Sequence, residues 1–371
     1  MRPVTRTLTA LTLGMALTHA TATPIDPALG EHVEMLPVDK NLLGMKINLE
    51  TTIFKPPGNG PFPLFVLTPG KDKGNPAHAT RSRYTALARE LVNRGYLVAV
   101  PMPRGYSQSG GSFLGRLSCE VLKPVEAQGQ DIVTVTRLLS KRADVDPARV
   151  IVAGHSFGGL SMLAGAQYDD LPAKLILNFA GGMRFDDCDW QQALIGATRK
   201  LGQQGKQASV WIYSPDDPIF PEAVVEQMRQ AYGPERVQYL PLPGVIGIAH
   251  LGFAMPRGFP QWWGALAPRL KTLGLPTEQT APLPAPAPYT ATGYAERGEV
   301  DKLPTHTVQG CKAKYRELMS ANNLFSFAIS VEGGCGWSID ADNAMASCLA
   351  NSNSRSCRFY LADDQVVWPK P

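Results

Sequence analysis

Short apolar runs alternate with longer amphipathic segments between about residues 62 and 273, and this alternation constrains the fold more than any other feature of the sequence. Such a pattern predicts a mostly parallel sheet with crossover helices on both faces. The apolar runs, aliphatic or β-branched as in strands buried on both faces, are 63–68, 96–101, 149–154, 174–180, 209–214 and 236–242. Helices are predicted at 79–94, 124–142, 157–168, 190–204, 221–232 and about 260–273. Upstream, the alternating segment 45–56 predicts an antiparallel edge strand.

The N-terminus has a different character. Residues 1–22 carry Arg2 and Arg6, then an apolar run, then small residues, which is the layout of a secretory signal peptide. Its removal would lower the formal charge from +4 to +2, a value that predicts neither nucleic-acid nor membrane-surface binding. No later stretch reaches the roughly 18 apolar residues of a membrane span. We therefore expect a periplasmic or secreted protein without a transmembrane segment.

The mature chain is expected to form two domains. A large α/β domain is predicted over 30–275 and a small α+β domain over 301–371. Between them, 276–300 is rich in Pro and Ala, cannot build a core, and should run as an extended linker. The small domain contains strand-like segments at 325–331 and 357–368 and a helix-like segment at 340–350. A domain of this size usually needs covalent cross-links.

All six cysteines lie beyond the predicted signal peptide, and an even count in an exported chain favours disulfides. They are Cys119, Cys188, Cys311, Cys335, Cys348 and Cys357. None forms a C-x-x-C pair, so no metal is expected. Cys119 and Cys188 lie on loops after two different strands, and we hypothesise a disulfide between them. Cys348 and Cys357 are a candidate local pair, which would leave the other two of the small domain for each other, but six cysteines allow 15 connectivities.

A G-x-S-x-G pattern, Gly154 to Gly158, stands between a predicted buried strand and a predicted helix. On a sharp strand-to-helix turn the backbone leaves no room for Cβ atoms, and glycines on both sides of the serine provide it. The hydroxyl of Ser156 would then project above the sheet at a helix N-terminus, where backbone N–H groups favour a developing anion. The alternative is an ordinary glycine-rich turn in which Ser156 caps the helix.

A serine hydroxyl becomes a good nucleophile only when a base accepts its proton, so a histidine is required. His250 follows the strand predicted at 236–242, at the sheet edge where parallel sheets place their sites. His155 is expected to point away from the serine, and His78 precedes a helix rather than following the last strand. We therefore assign the base to His250.

An acid should follow the intervening strand, where YSPDDPIFP supplies the adjacent Asp216 and Asp217. With GHSFGG before this segment and a late histidine after it, residues 45–273 resemble the α/β-hydrolase superfamily in its dienelactone-hydrolase-like and esterase branch. The acid turn of that superfamily commonly reads G-x-x-D-x-x-V-P. The resemblance therefore places the acid on Asp217, although Ser214 replaces the usual glycine and leaves Asp216 as the alternative. The cysteine-rich C-terminal segment resembles small disulfide-bonded domains of exported bacterial proteins.

The resemblance also implies an oxyanion hole built from two backbone donors. One is the N–H of Phe157, which follows the serine. The other is expected after the strand at 63–68, where Pro69 has no N–H and Lys71 is the candidate by position. No cofactor is implied.

The function implied is hydrolysis of a small-molecule or polymer ester through a Ser-His-Asp triad. Two alternatives remain open. The same triad would serve an amide or peptide hydrolase, because both reactions pass through a similar tetrahedral intermediate. In the other, a hydrolase-like scaffold is a binding protein that docks on cell wall or on another protein through its C-terminal domain.

Overall fold

The computed structural model of the chain describes residues 25–71, 75–115, 119–243, 250–280, 282–284, 286–320, 325–338, 341–351 and 356–370. The predicted signal peptide and residues 244–249 lie outside the described residues. Among the described residues, the strands form one sheet of 8 strands and one of 4.

The large sheet is mostly parallel. Its strands are β1 His32–Lys40, β2 Lys46–Phe54, β3 Phe62–Thr68, β4 Leu97–Pro101, β5 Val145–His155, β6 Leu175–Phe179, β7 Ser209–Tyr213 and β8 Val237–Pro241. They lie in the order β1-β2-β4-β3-β5-β6-β7-β8, with the β1–β2 and β2–β4 pairs antiparallel and the remaining pairs parallel. This order and the crossover helices are those of the α/β-hydrolase fold, which confirms the predicted fold class.

In the part of the chain that the structure describes, six helices cover the two faces of this sheet. They are α1 Thr85–Val92, α2 Leu122–Ser140, α3 Phe157–Gly165, α4 Trp190–Gln204, α5 Glu222–Tyr232 and α6 Phe259–Thr272. The central strand β5 shows why its segment 150–153 is apolar. Ile151 and Ala153 pack with residues of α1 and α6, whereas Val150 and Val152 pack with residues of α2 on the opposite face. A strand covered on both faces buries every side chain, and the core therefore lies on both sides of the sheet.

Two sequence predictions about the large domain, one for a strand and one for a helix, are wrong in detail. Segment 45–56 forms β2, but β2 is not the edge strand, because β1 pairs outside it. The sequence did not predict strand β1, because its apolar residues Val33 and Met35 are exposed, 40% and 46%. Glu34, between them, faces partly inward and accepts a hydrogen bond from Arg142.

The helix predicted over 79–94 begins only at Thr85, which is the second correction. The side chains of Arg81 and Arg83 both bind the carboxylate of Glu31. Residues two apart point in nearly opposite directions on a helix but to the same side of an extended chain. This shared partner therefore keeps the segment before α1 extended.

The small sheet belongs to the C-terminal region. It has the order β10-β9-β11-β12 and is antiparallel. Its elements are α7 Gln309–Ser320, β9 Ser326–Ser330, β10 Cys335–Ser338, α8 Ala341–Asn351, β11 Cys357–Ala362 and β12 Gln365–Val366. Of these, α7 and β10 were not predicted. Disulfides join Cys311 to Cys335 and Cys348 to Cys357, and they confirm the pairing favoured from the sequence.

The Pro- and Ala-rich segment after α6 runs along the end of α1. Asn93 accepts the N–H of Thr280 at its carbonyl oxygen, 2.8 Å away, and the N–H of Leu283 at its side-chain oxygen, 2.9 Å away. Arg94 donates to the carbonyl oxygen of Thr277 at 3.0 Å. The segment is therefore hydrogen bonded to the large domain, and its extended course stays a prediction. The domain boundaries at 275 and 301 stay a prediction.

Candidate active site

Ser156 lies at the sharp turn between β5 and α3. Its backbone has φ +54° and ψ −121°, a conformation that L-residues rarely adopt and that often occurs at functional sites. The flanking glycines are required. A Cβ on Gly154 would lie 2.2 Å from the carbonyl oxygen of Gly158, and one on Gly158 would lie 2.3 Å from that of Thr68. The sequence motif therefore folds into the strained turn that its glycines predicted.

The backbone around Ser156 is fixed by hydrogen bonds to the neighbouring strand. Its N–H donates to the carbonyl oxygen of Phe179 at 2.9 Å, and its own carbonyl oxygen accepts the N–H of Gly182 at 3.0 Å. The side chain makes no capping hydrogen bond to α3, so the alternative of a simple helix cap is wrong. The hydroxyl is thus left for another role.

The carboxylate of Asp217, which follows β7, is bonded to His250, which follows β8. Oδ2 of Asp217 lies 2.7 Å from Nδ1 of His250. Oδ1 accepts the N–H groups of Ile219 at 2.8 Å and Phe220 at 3.4 Å. The side chain of Asp217 is fully buried, whereas Asp216 is exposed. Since a carboxylate only accepts, Nδ1 of His250 carries the hydrogen, and Nε2 is the ring nitrogen that can accept a proton.

The loop after β3 passes directly over the serine. A Cβ on Gly70 would lie 2.8 Å from Cβ and 3.4 Å from Oγ of Ser156. Lys71 follows Gly70, and its ammonium lies 5.0 Å from the ring centroid of Phe185. Phe157, the other predicted oxyanion donor, begins α3 and is buried. Both predicted donor residues therefore belong to segments that adjoin Ser156.

His155 makes contacts that the sequence did not reveal. It was expected to point away from the serine, and its ring packs against that of His250, with centroids 4.7 Å apart. Its Nε2 lies 3.0 Å from the carbonyl oxygen of His250, and its Nδ1 lies 3.1 Å from the hydroxyl of Tyr84. Burial and the nearby His250 hold the pKa of His155 well below its usual value, so the ring is neutral.

Aromatic side chains surround the site. The ring of Phe220 lies 5.6 Å from that of His250, and Phe113 contacts Phe157 edge-on at 5.3 Å. Cys119 and Cys188 form a disulfide, as hypothesised, which ties the loop after β4 to the loop after β6. The rim of the site is therefore cross-linked covalently.

Two arginines near the site are already engaged. Arg104 binds Asp131 through two hydrogen bonds of 2.6 Å. Arg184 lies over the ring of Trp190 at 5.3 Å. Arg104 is therefore not free to receive an anionic group of a substrate.

Among the residues that the structure describes, no cluster of three His, Cys, Asp or Glu side chains could hold a metal ion. None of their helices combines the length and the apolar character needed to cross a bilayer.

The strand order, with the strained serine after β5 and the Asp–His pair after β7 and β8, is that of the α/β-hydrolase fold. A small disulfide-bonded C-terminal domain follows it in the chain. The model of the prolyl oligopeptidase family matches residues 83–172, a stretch that contains Ser156 but neither Asp217 nor His250.

Solved structures with similar folds come from several organisms. A protein from Klebsiella pneumoniae, provisionally named dienelactone hydrolase, is 16% identical, with a TM-score of 0.44 over 64% of this chain and 97% of that chain. Esterase 2 from Thermogutta terrifontis is 15% identical, with a TM-score of 0.46 over 71% of this chain and 100% of that chain. Dipeptidyl peptidase 4 from Porphyromonas gingivalis is 14% identical, with a TM-score of 0.46 over 66% of this chain and 35% of that chain. None of the curated proteins matches the sequence.

Proposed function

We propose that the protein is an exported serine hydrolase that cleaves carboxylic esters through an acyl-enzyme. The observation that carries this proposal is the serine with a positive φ at the carboxyl edge of the sheet that also carries the Asp217–His250 pair. A strained serine between strand and helix costs about 1–3 kcal/mol and persists where the surrounding structure has a use for it.

In the proposed reaction Oγ of Ser156 attacks the ester carbonyl carbon while Nε2 of His250 takes the hydroxyl proton. The resulting imidazolium is stabilised by Asp217 through the 2.7 Å hydrogen bond. The oxyanion accepts hydrogen bonds from the N–H groups of Phe157 and Lys71. Collapse of the intermediate expels the alcohol with the proton from His250. Water, activated by the same histidine, then releases the acid from Ser156.

Hydrolysis of amides or peptides is the second candidate. It is favoured by the match of the prolyl oligopeptidase family to residues 83–172. We place esters first because an alcohol leaves a tetrahedral intermediate more readily than an amine does. The same catalytic groups therefore cleave esters with a lower barrier.

Export and the role of the C-terminal domain are part of the proposal. The signal-like N-terminus and three disulfides, which persist in oxidising compartments, support a periplasmic or secreted protein. Docking on cell wall or on another protein remains the proposed role of the C-terminal domain.

The test compares p-nitrophenyl esters of increasing chain length with peptide anilides, using the mature protein and its Ser156→Ala variant. We expect turnover of the esters that is lost in the variant. Serine-dependent turnover of the anilides at comparable kcat/KM would favour the peptidase. Absence of serine-dependent turnover on every compound would overturn the proposal and favour a binding protein.

A further inference from the structure

A chain of two hydrogen bonds ends on the backbone of His250. The carbonyl oxygen of His250 can only accept, so Nε2 of His155, 3.0 Å away, must carry the hydrogen. A neutral imidazole has one N–H, and Nδ1 of His155 is therefore an acceptor. The hydroxyl of Tyr84, 3.1 Å from Nδ1, fits that acceptor as a donor. The two partners thus select one tautomer of a ring that is 6% exposed.

This arrangement holds His250 at two points. Asp217 holds the imidazole at Nδ1, and His155 holds the main chain from which the imidazole projects. One contact fixes the rotation of the ring, and the other fixes the position of the backbone. Both are needed because a base must lie within hydrogen-bond reach of the proton that it takes.

The hydroxyl of Tyr84 is itself held in place. Tyr84 has φ +50° and is the last residue before α1. The preceding segment is fastened by Glu31, which is buried and binds Arg83 at 2.8 Å and Arg81 at 2.9 Å. Burial opposes ionisation of Glu31, but its bonds to the two arginines outweigh burial and lower its pKa. The donor to His155 therefore projects from a rigid part of the fold.

We propose that His155 is a positioning residue for the catalytic base, with Tyr84 selecting the tautomer that makes this possible. The proposal rests on the proposed function, in which His250 is that base. His155 acts through the carbonyl group of His250 and touches no substrate. Its neutral state also avoids placing a like charge beside the imidazolium that forms on His250 during the reaction.

Two substitutions at one position separate positioning from packing. In His155→Gln the side-chain nitrogen reaches the place of Nε2 and can still donate to the carbonyl oxygen of His250. In His155→Asn the shorter amide reaches only the place of Nδ1 and cannot. Both variants lose the aromatic ring and place an uncharged amide there, and they differ by one methylene, whose effect on stability the thermal midpoint reports.

The measurements are kcat and KM for p-nitrophenyl acetate, the thermal midpoint, and the proton NMR signal of the His250 Nδ1–H bonded to Asp217. We expect a loss of about 10- to 100-fold in kcat for His155→Asn with little change in KM, because small displacements of a catalytic group have effects of that size. His155→Gln should recover most of the loss, and only the Asn variant should broaden the NMR signal.

Equal losses in the Gln and Asn variants, or losses that follow the thermal midpoint, would overturn the proposal. If the Asn variant does not fold, Tyr84→Phe replaces it. We expect this variant to lose kcat severalfold, and a kcat equal to that of the wild type would overturn the role of Tyr84. The NMR comparison does not depend on turnover. It still decides the positioning role if Ser156→Ala shows that the proposed function is wrong.

Discussion

Asp217 and His250 are joined by a 2.7 Å hydrogen bond between Oδ2 and Nδ1, whereas Asp216, the adjacent residue in the chain, is exposed. Two neighbouring acids thus have different environments. Asp217 can orient the imidazole of His250 and stabilise its charged form, whereas Asp216 is solvated.

The first prediction concerns this pair of acids. Asp217→Asn should lower kcat for p-nitrophenyl acetate by about 10⁴-fold, because an amide nitrogen facing Nδ1 selects the wrong tautomer of the base. Asp216→Asn removes the same charge one residue away and should leave kcat within a factor of two or so. Steady-state kinetics on both variants makes the comparison, and equal losses would mean that the acid is assigned to the wrong residue.

The second prediction concerns the loop over the serine. Gly70→Ala should lower kcat strongly, since the new Cβ would lie 2.8 Å from Cβ of Ser156 and displace the loop with its proposed oxyanion donor. Gly264→Ala in α6 is the matched control, because a Cβ there meets nothing within 4 Å. The control should retain activity and gain about 0.5–1 kcal/mol in unfolding free energy. Unchanged kcat in Gly70→Ala would contradict the placement of this loop.

A third prediction follows from the buried neutral ring of His155, which faces His250, the Tyr84 hydroxyl and the ring of Phe253. Burial and His250 lower its pKa in the folded protein, so below about pH 6.5 the unfolded chain takes up a proton that the folded chain does not. The free energy of unfolding should therefore fall as the pH is lowered from 6.5, by at most about 1.4 kcal/mol per pH unit.

Urea unfolding at several pH values measures this slope. His155→Gln cannot titrate and should flatten the slope between about pH 6.5 and 5. The lowered pKa of Glu31 acts in a separate window at lower pH, since its stabilisation is lost only as the carboxyl becomes protonated. The same slope in wild type and variant would show that another group is responsible.

A fourth prediction concerns the segment after α6. A chain ending at residue 275 loses the hydrogen bonds that residues 276 and 277 accept from Tyr96, Arg94 and Trp263, and also those that Thr280 and Leu283 donate to Asn93. A chain ending at residue 284 keeps them. At about 1 kcal/mol for each hydrogen bond, the shorter chain should be less stable by a few kcal/mol. Thermal unfolding of the two truncations makes the test, and equal stabilities would show that these contacts contribute little.

Much of the large domain could be predicted from the sequence because its strands are buried on both faces and leave continuous apolar runs. The helix predicted at 190–204 matches α4 in both bounds. The strand β1 was missed because its burial alternates with Glu34 facing partly inward, and the start of α1 was misjudged because it depends on Glu31, which is more than 50 residues away.

The candidate site could likewise be predicted only in part from the sequence. Ser156, Asp217 and His250 follow local patterns, each at the end of a parallel strand, and could be proposed from sequence. The contact of His155 with His250 joins residues 95 apart, and no local pattern of the sequence specifies it. The only sequence feature that pointed to this contact was a polar, ionisable side chain beside the serine.

The most direct test of the central claim is peptide mapping by mass spectrometry after reaction of the mature protein with a fluorophosphonate, alongside ester turnover by the Ser156→Ala variant. The account predicts a single covalent adduct on the peptide that contains Ser156, with neither adduct nor turnover in the variant. Turnover that survives in Ser156→Ala, or an adduct on a different residue, would contradict it.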